Sequence, residues 1–177
     1  DKLNFHPGSH LRLLTPQAAC ERVAKSMNQA LAQTQGVTLV VENTAGSGGN
    51  LGSTFEELRT ILDGVDDKKR VGVCIDTMHT FAAGFDIRTR DGFLQTMERF
   101  DKTVGMKYLR GMHLNDSKVG LNSHVDRHES LGAGLLGIDV FKCIMKDKRF
   151  EDMPLVLETP NEEIWAREVK QLMEMAG

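Results

Sequence analysis

Residues 71–76 read Val-Gly-Val-Cys-Ile-Asp, and His79 follows three positions after Asp76. An apolar run of this length, rich in β-branched residues and too short for a helix, is typical of a buried strand. Its last residue has a carboxylate, a group that binds divalent metals. The combination of a short apolar strand with a metal-binding residue type at its end recurs along the chain, and it decides the predicted fold.

Four other segments share this pattern, and longer segments of helical period separate them. The five predicted strands are residues 3–6, 37–42, 71–76, 109–113 and 154–158. Helices are predicted over about 16–31, 93–104, 138–146 and 162–175; Thr15-Pro16 supplies an N-cap and a first helical residue, and Ser53 with Glu56 resembles a capping box. This alternation predicts an α/β protein with βα units around a parallel sheet.

Each predicted strand ends in a residue type that binds metals. These residues are His6, Glu42, Asp76, His113 and Glu158. With 6 histidines and 25 acidic residues among 177, five such ends in five strands would be rare by chance, although each one alone is better explained as a solvated charge. In parallel α/β barrels the catalytic groups cluster at the carboxyl ends of the strands. We therefore expect a metal site there.

A second group lies just beyond the strands. His79 follows Asp76 closely, and Asp126 and His128 are two positions apart in the long irregular stretch 115–137. Two imidazoles and a carboxylate form a plausible zinc set with a fourth position open to solvent. Taken alone, Asp-x-His is more often a surface ion pair.

Composition limits the remaining possibilities. A length of 177 residues suits one domain, and no apolar run is long enough to cross a bilayer. The net charge of -3 argues against a broad basic face for nucleic acid, so bound metals or local cations such as Lys118 and Arg127 would have to attract phosphate. Three widely spaced cysteines indicate a reducing compartment. We expect an intracellular monomer, from a bacterial cytoplasm or a eukaryotic nucleus or mitochondrion.

Longer motifs resemble the endonuclease IV family. They are Asn-Phe-His-Pro-Gly-Ser-His, Val-Glu-Asn-Thr-Ala-Gly, Cys-Ile-Asp-Thr-Met-His-Thr-Phe-Ala-Ala-Gly, His-Leu-Asn-Asp-Ser, Val-Asp-Arg-His and Leu-Glu-Thr-Pro, and they span essentially the whole chain. The resemblance implies a TIM-type (β/α)8 barrel and three zinc ions. It also implies hydrolysis of double-stranded DNA 5′ to an abasic site, which leaves a 3′-hydroxyl and a 5′-deoxyribose phosphate.

The resemblance also implies a role for each candidate residue. Glu42 would bridge the first two zincs, with His6 on the first. Asp76, His113 and Glu158 would complete the second site, and His79, Asp126 and His128 would hold the third. Glu42 and Glu158 are the catalytic candidates because carboxylates beside the attacking water can orient it or accept its proton.

The chain is short for a complete barrel of this type. Such barrels typically need about 250 residues, so residues 1–177 are expected to be a single domain containing the C-terminal five βα units, without the first three. In the family the missing part supplies another histidine to the first zinc. The 177 residues alone are therefore expected to be inactive and to hold that zinc poorly.

Two alternatives stay open. A sugar isomerase or epimerase of the same architecture would use Glu42, Asp76, His113 and Glu158 around a single metal. A degenerate module that binds metal without catalysis is the non-enzymatic alternative. The number of zincs per complete protein separates the first alternative from the nuclease, because the isomerase has no use for the second group of ligands.

Overall fold

The computed structural model describes residues 1–177, and five of its strands form one parallel sheet in the order β1-β2-β3-β4-β7. The strands are β1 (Lys2–Phe5), β2 (Thr38–Glu42), β3 (Val71–Asp76), β4 (Leu109–His113), β5 (Asp116–Ser117), β6 (His128–Glu129) and β7 (Leu155–Val156). The α-helices are α1 (Pro16–Gln33), α2 (Phe55–Asp63), α3 (Thr77–Ala82), α4 (Arg90–Thr103), α5 (Asp139–Met145) and α6 (Trp165–Ala176). Strands β5 and β6 pair separately as an antiparallel hairpin.

The sheet is half of a TIM-type barrel, which confirms the predicted fold class. The central strand β3 is buried along its whole length, as expected for a parallel strand covered on both faces. Alternate residues of β3, among them Val73 and Ile75, belong to a cluster of 33 buried apolar residues that also includes Phe55 and Phe100 from the helices. The core therefore lies between the sheet and its helices.

The helix starts follow local capping chemistry. The Thr15 side chain accepts a hydrogen bond from the Ala18 amide at 3.2 Å, which confirms the predicted cap of α1. The predicted capping box of Ser53 and Glu56 is wrong by one residue. Thr54 caps α2 by accepting from the Glu57 amide, and the Glu57 carboxylate reaches back to accept from the Ser53 amide at 3.1 Å.

A glycine in β3 allows the neighbouring strand to approach closely. The pairing of β3 with β4 shifts register between Val73 and Cys74, which leaves Arg110 as the extra residue of a bulge. A Cβ on Gly72 would lie 2.1 Å from the Arg110 Cγ and 2.8 Å from the Tyr108 carbonyl oxygen. Gly72 is thus required by packing rather than by a special backbone conformation.

Two predicted segments differ in detail from the structure. The first strand ends at Phe5 rather than at His6, because Pro7 follows and has no amide hydrogen to continue the pairing. The fifth strand is limited to β7, because the Glu158 amide donates to the Asn115 side chain instead of a neighbouring strand. No helix combines the length and the apolar character that a membrane span requires.

Candidate metal centre

The eight predicted ligands lie together at the carboxyl edge of the parallel sheet. Glu42, Asp76 and His113 are the last residues of β2, β3 and β4, while His6 and Glu158 follow the edge strands. The second group comes from α3 and from the hairpin: these residues are His79, Asp126 and His128. Parallel strands bring their carboxyl ends to one edge, so residues far apart in sequence converge.

Glu42 is at the centre of the first cluster and is 2% exposed. Its Oε1 lies 3.0 Å from the His113 Nδ1, 3.3 Å from the His79 Nδ1 and 3.5 Å from the His6 Nε2. The other oxygen accepts a hydrogen bond from the Asn4 side chain at 2.5 Å. Three imidazole nitrogens thus surround one carboxylate oxygen. This arrangement is expected where the carboxylate and the histidines bind the same metal ions.

Asp76 is fully buried. In addition to lying in the cluster, its carboxylate accepts two hydrogen bonds that hold the local structure. Its Oδ1 accepts from the His79 amide at 2.8 Å and so caps α3, which the sequence analysis did not predict. Its Oδ2 accepts from the Asn115 side chain at 2.6 Å. Asp76, Glu42, His113 and Glu158 have ligand atoms that all lie within 4.8 Å of one another, a spacing suited to one metal ion.

The second cluster adjoins the first. The His79 Nε2 lies 3.2 Å from an Asp126 carboxylate oxygen, and the His128 Nε2 lies 3.6 Å from Asp76 and 3.9 Å from Asp126. His79, His128 and Asp76 also meet the 4.8 Å spacing, whereas Asp126 is more exposed and touches this group from outside. The two clusters are therefore continuous through Asp76.

Two buried nitrogen atoms have no hydrogen-bond partner, and both belong to these clusters. They are the His79 Nδ1 and the His128 Nε2. Buried polar atoms are almost always hydrogen-bonded, so such atoms surrounded by carboxylates need another partner. A divalent cation satisfies them, because neutral imidazole nitrogen and carboxylate oxygen are the usual ligands of zinc. The residues present fit a metal.

The orientation of His128 favours the same conclusion. Its Nδ1 lies 3.2 Å from the Glu158 carbonyl oxygen, which can only accept, so Nδ1 carries the hydrogen. The lone pair of the neutral ring is then on Nε2, the nitrogen that faces Asp76 and Asp126. Such a hydrogen bond from the remote nitrogen is how proteins orient metal-binding histidines.

The charged groups of the two clusters strongly shift one another's pKa values. Burial opposes protonation of His79, but the negative field of Asp76 and the contacts with Asp126 and Glu42 outweigh it and raise its pKa to about 11. Burial also opposes protonation of His113, but contacts with Cys74, Glu158 and Glu42 raise its pKa. For Glu42, burial would raise the pKa, yet the contacts with the three histidines lower it. Without a cation, protons on His79 and His113 balance the carboxylates around them.

Several polar residues that no sequence pattern predicted support these ligands. Asn115 is fully buried and joins Asp76 to the Glu158 amide. Asn43 donates to the Thr80 hydroxyl and accepts from the Asp76 amide at 2.7 Å. Both asparagines directly follow or closely follow a ligand in the quoted motifs, which is the only signal that points to them. Cys74, in the apolar run of β3, lies close enough to Glu42 and His113 to form a further possible ligand group.

The two predicted local cations, and the two histidines that were not predicted as ligands, lie outside the candidate metal-binding groups. Lys118 and Arg127 are exposed on the hairpin, where the Lys118 amide donates to the Arg127 carbonyl. The His124 Nδ1 lies 2.9 Å from the Ala45 carbonyl oxygen, and the His10 Nδ1 accepts from the Arg12 amide. Both histidines have local structural contacts.

The profile of a family described as xylose isomerase-like TIM barrel matches residues 1–176. The chain belongs to this family. Within it, the chain is similar to the crystal structure of endonuclease IV from Thermus thermophilus, with 32% identity and a TM-score of 0.81 over 98% of this chain and 61% of that one. The similarity agrees with the motif resemblance to endonuclease IV.

Other solved structures share the xylose isomerase-like TIM barrel fold at lower identity. A D-tagatose 3-epimerase-like protein has 19% identity and a TM-score of 0.74, over 99% of this chain and 63% of that one. A xylose isomerase domain protein from Alicyclobacillus acidocaldarius has 14% identity and a TM-score of 0.60, over 99% and 64%. The chain thus spans about three fifths of the length of the structures it matches.

Proposed function

We propose that this chain forms the metal centre of a zinc-dependent DNA-repair endonuclease that hydrolyses the phosphodiester 5′ to abasic sites and leaves a 3′-hydroxyl and a 5′-deoxyribose phosphate. The observation behind the proposal is the second cluster of His79, Asp126 and His128, which adjoins the four-residue group and contains the unpartnered Nε2 of His128. The unpartnered Nδ1 of His79 faces Glu42 and Asp76, so His79 lies between the two clusters. An isomerase with one metal requires only the four-residue group. The 32% identity with endonuclease IV supports the same choice.

Eight residues are proposed as ligands of three zinc ions. His6 and Glu42 would hold the first, and Glu42 would bridge it to the second, held also by Asp76, His113 and Glu158; His79, Asp126 and His128 would hold the third. The side chain of His6 is 47% exposed and has only Glu42 and His79 as close partners. We therefore expect this site to hold the first zinc weakly.

The proposed chemistry needs charge stabilisation and an activated water rather than a protein nucleophile. Divalent zinc would supply positive charge next to the phosphate and lower the pKa of a bound water. Glu42 is buried, and its carboxylate accepts a hydrogen bond from Asn4. The carboxylate can therefore keep its position while negative charge develops on the phosphate. Glu158 is 45% exposed at its side chain and lies 3.0 Å from the His113 Nδ1, so it faces the solvent from which the attacking water comes. We propose these two carboxylates as the groups that orient that water and accept its proton.

Double-stranded DNA with abasic sites is the proposed partner. The chain has a net charge of -3, so a broad basic surface does not supply the affinity for phosphate. Lys118 and Arg127 are exposed cations on the hairpin that carries His128, and bound metals would add local positive charge. Affinity for DNA should therefore depend on metal loading as well as on salt.

The test is cleavage of a duplex oligonucleotide that contains one tetrahydrofuran abasic analogue, by the protein that carries residues 1–177, with and without zinc. The analogue prevents cleavage by elimination, so product can arise only by hydrolysis. We expect a zinc-dependent incision with a 3′-hydroxyl that a polymerase extends. Absence of incision from protein with three zincs bound would contradict the proposal, and epimerisation of a ketose by protein with one metal would favour the isomerase.

A matched pair of variants links the activity to the site. Glu42→Gln preserves shape and removes the charge that three imidazoles contact, so incision should be lost. Glu56→Gln changes an exposed glutamate of α2 that pairs with Arg99, so incision should stay unchanged. Unchanged incision by Glu42→Gln would favour a metal-binding module without a catalytic role.

A further inference from the structure

Residues 116–137, called the hairpin loop here, contain Asp126 and His128 and bring them to the site. Two buried acidic residues that are not proposed ligands hold this loop in place. Asp116, at the start of the loop, is fully buried, and Glu168 on α6 is 2% exposed. The partners of both acids are backbone amides and a hydroxyl, although buried carboxylates usually have a cationic partner. We propose that Asp116 and Glu168 are positioning residues for the third metal, an inference that rests on the metal-centre assignment of the proposed function.

Asp116 is held by backbone amides alone. Both of its oxygens accept hydrogen bonds, at 2.7–3.3 Å. The donors are the amides of Ser117, Gly132, Gly134, Leu136 and Gly137. Hydrogen bonds from amides to a charged carboxylate are stronger than neutral ones and compensate its burial. The carboxylate thereby fixes residues 132–137 against β5 and closes the loop that contains Asp126 and His128.

The geometry around Asp116 requires an acid and small neighbours. A carboxylate only accepts hydrogen bonds, whereas an amide side chain would turn its own N–H groups toward some of the five donors. A Cβ on Gly134 would lie 2.4 Å from the Ser117 carbonyl oxygen and 2.5 Å from the Asp116 Oδ1. The backbone at Gly134 therefore lies so close to the Asp116 carboxylate that a larger residue would not fit there.

Glu168 ties the end of this loop to the segment that contains Glu158. One of its oxygens accepts from the Leu131 amide at 2.8 Å, and the other accepts from the Thr159 hydroxyl at 2.5 Å. Thr159 directly follows Glu158, and the Glu158 carbonyl is the oxygen that orients the His128 ring. Through these contacts α6 fixes both the loop and the carbonyl that directs the His128 Nε2 toward the site.

Both acids thus support the ligands that come from the loop, and Glu168 also supports the segment of Glu158, but neither is bonded to Glu42, Asp76 or His113. Glu42, Asp76 and His113 are held by the sheet and by Asn4 and Asn115. Loss of Asp116 should free Asp126 and His128 while the four-residue group stays formed, whereas loss of Glu168 should also loosen Glu158. The expected signature is a selective loss of one metal rather than of all.

The first experiment compares Asp116→Asn with the wild-type chain and with Asp139→Asn, a control at an exposed aspartate that pairs with Lys142 on α5. Zinc binding to the full chain is titrated against a chromophoric chelator, and hydrogen exchange is followed at the amides of residues 117–137. Asp116→Asn should weaken the zinc that needs Asp126 and His128 by about 10- to 100-fold, as losses of supporting groups around metals do, and speed exchange in the loop. Binding of the other two zincs should be unaffected, and Asp139→Asn should bind all three as the wild-type chain does.

A second variant guards against a simple loss of folding. Glu168→Gln perturbs the loop from α6, and a circular dichroism melt of each metal-free variant shows whether it folds. Selective loss of the same zinc in either folded variant supports the proposal. Equal weakening of all zincs, unchanged zinc binding in folded variants, or failure of both variants to fold would each overturn it. Because no DNA is used, these results are independent of whether the protein cuts abasic sites.

Discussion

The substitution Asn115→Leu tests whether the buried amides behind the ligands support the metal centre. Asn115 is fully buried; its side chain donates to the Asp76 Oδ2 at 2.6 Å and accepts from the Glu158 amide at 2.9 Å. Leucine has a similar size but offers neither hydrogen bond. The change therefore leaves a buried carboxylate oxygen and a partly buried backbone amide without these partners.

The size of the effect follows from these two groups. An unsatisfied buried group costs about 1–3 kcal/mol, and more where it is charged, so the metal-free chain should lose about 3–6 kcal/mol of its free energy of unfolding. Asp76 would also lose the contact that fixes its orientation. Affinity for the metal that needs Asp76 and Glu158 should fall by about 10- to 100-fold.

Asn28→Leu provides a matched control. The Asn28 side chain also makes one donated and one accepted hydrogen bond, to the Gly64 carbonyl and from the Asp66 amide, both at 2.9 Å, but at the surface and away from the site. Water replaces those bonds, so the cost should be about 1–2 kcal/mol with no change in metal affinity. Urea unfolding of the metal-free proteins and chelator competition measure the two quantities. If Asn115→Leu costs no more than Asn28→Leu and binds zinc normally, the supporting role of Asn115 is refuted.

Three further predictions concern protons, packing and the weakest metal. Because the pKa of His79 is raised to about 11 and that of His113 is raised as well, their stabilisation of the metal-free chain is complete below the unfolded value of about 6.5 and is lost as the pH rises toward 11. Zinc must displace those protons, so calorimetry at pH 7.5 in buffers of different ionisation enthalpy should show proton release, and equal heats in all buffers would contradict this. Gly72→Ala should destabilise the chain by about 1–3 kcal/mol in thermal melts because Arg110 and Tyr108 occupy the space, whereas Gly120→Ala, which meets nothing within 4 Å, should not. His6→Ala should remove only the most weakly bound zinc in a chelator titration; loss of a tightly bound zinc would show that the ligand assignment is wrong.

The strand ends could be predicted from sequence because each depends on a local pattern. In β3 a short apolar run ends at Asp76, and the period of two places Cys74 and Asp76 on one face, so neither the strand nor its last side chain needed information from elsewhere. The parallel arrangement then brings such ends together. Fold class and strand positions were consequently accessible, with errors of one or two residues where Pro7 or the Asn115 side chain interrupts the pairing.

The supporting residues could not be predicted in the same way. The role of Asn115 depends on two groups that lie 39 and 43 positions away, and that of Asp116 on amides of a loop up to 21 positions further on. Neither residue belongs to a periodic pattern, and asparagine or aspartate after a strand is ordinarily assigned to a turn. Only the folded structure shows that the side chains of Asn115 and Asp116 supply hydrogen bonds that the backbone of the loops does not supply.

The spacing between Asp76 and His79 explains why two ligand clusters form side by side. An aspartate that caps a helix accepts from the amide of the third residue beyond it, and here that residue is His79, at 2.8 Å. The cap fixes the His79 backbone directly above the Asp76 carboxylate and directs its ring between Glu42 and Asp126. One oxygen of Asp76 therefore starts α3, while the other lies 3.6 Å from the His128 Nε2. A longer connection between strand and helix would break the cap and move His79 away. Under the proposed ligand assignment, the separation of three residues would extend a single-metal site, of the kind that the four-residue group could form alone, into a site for more than one metal.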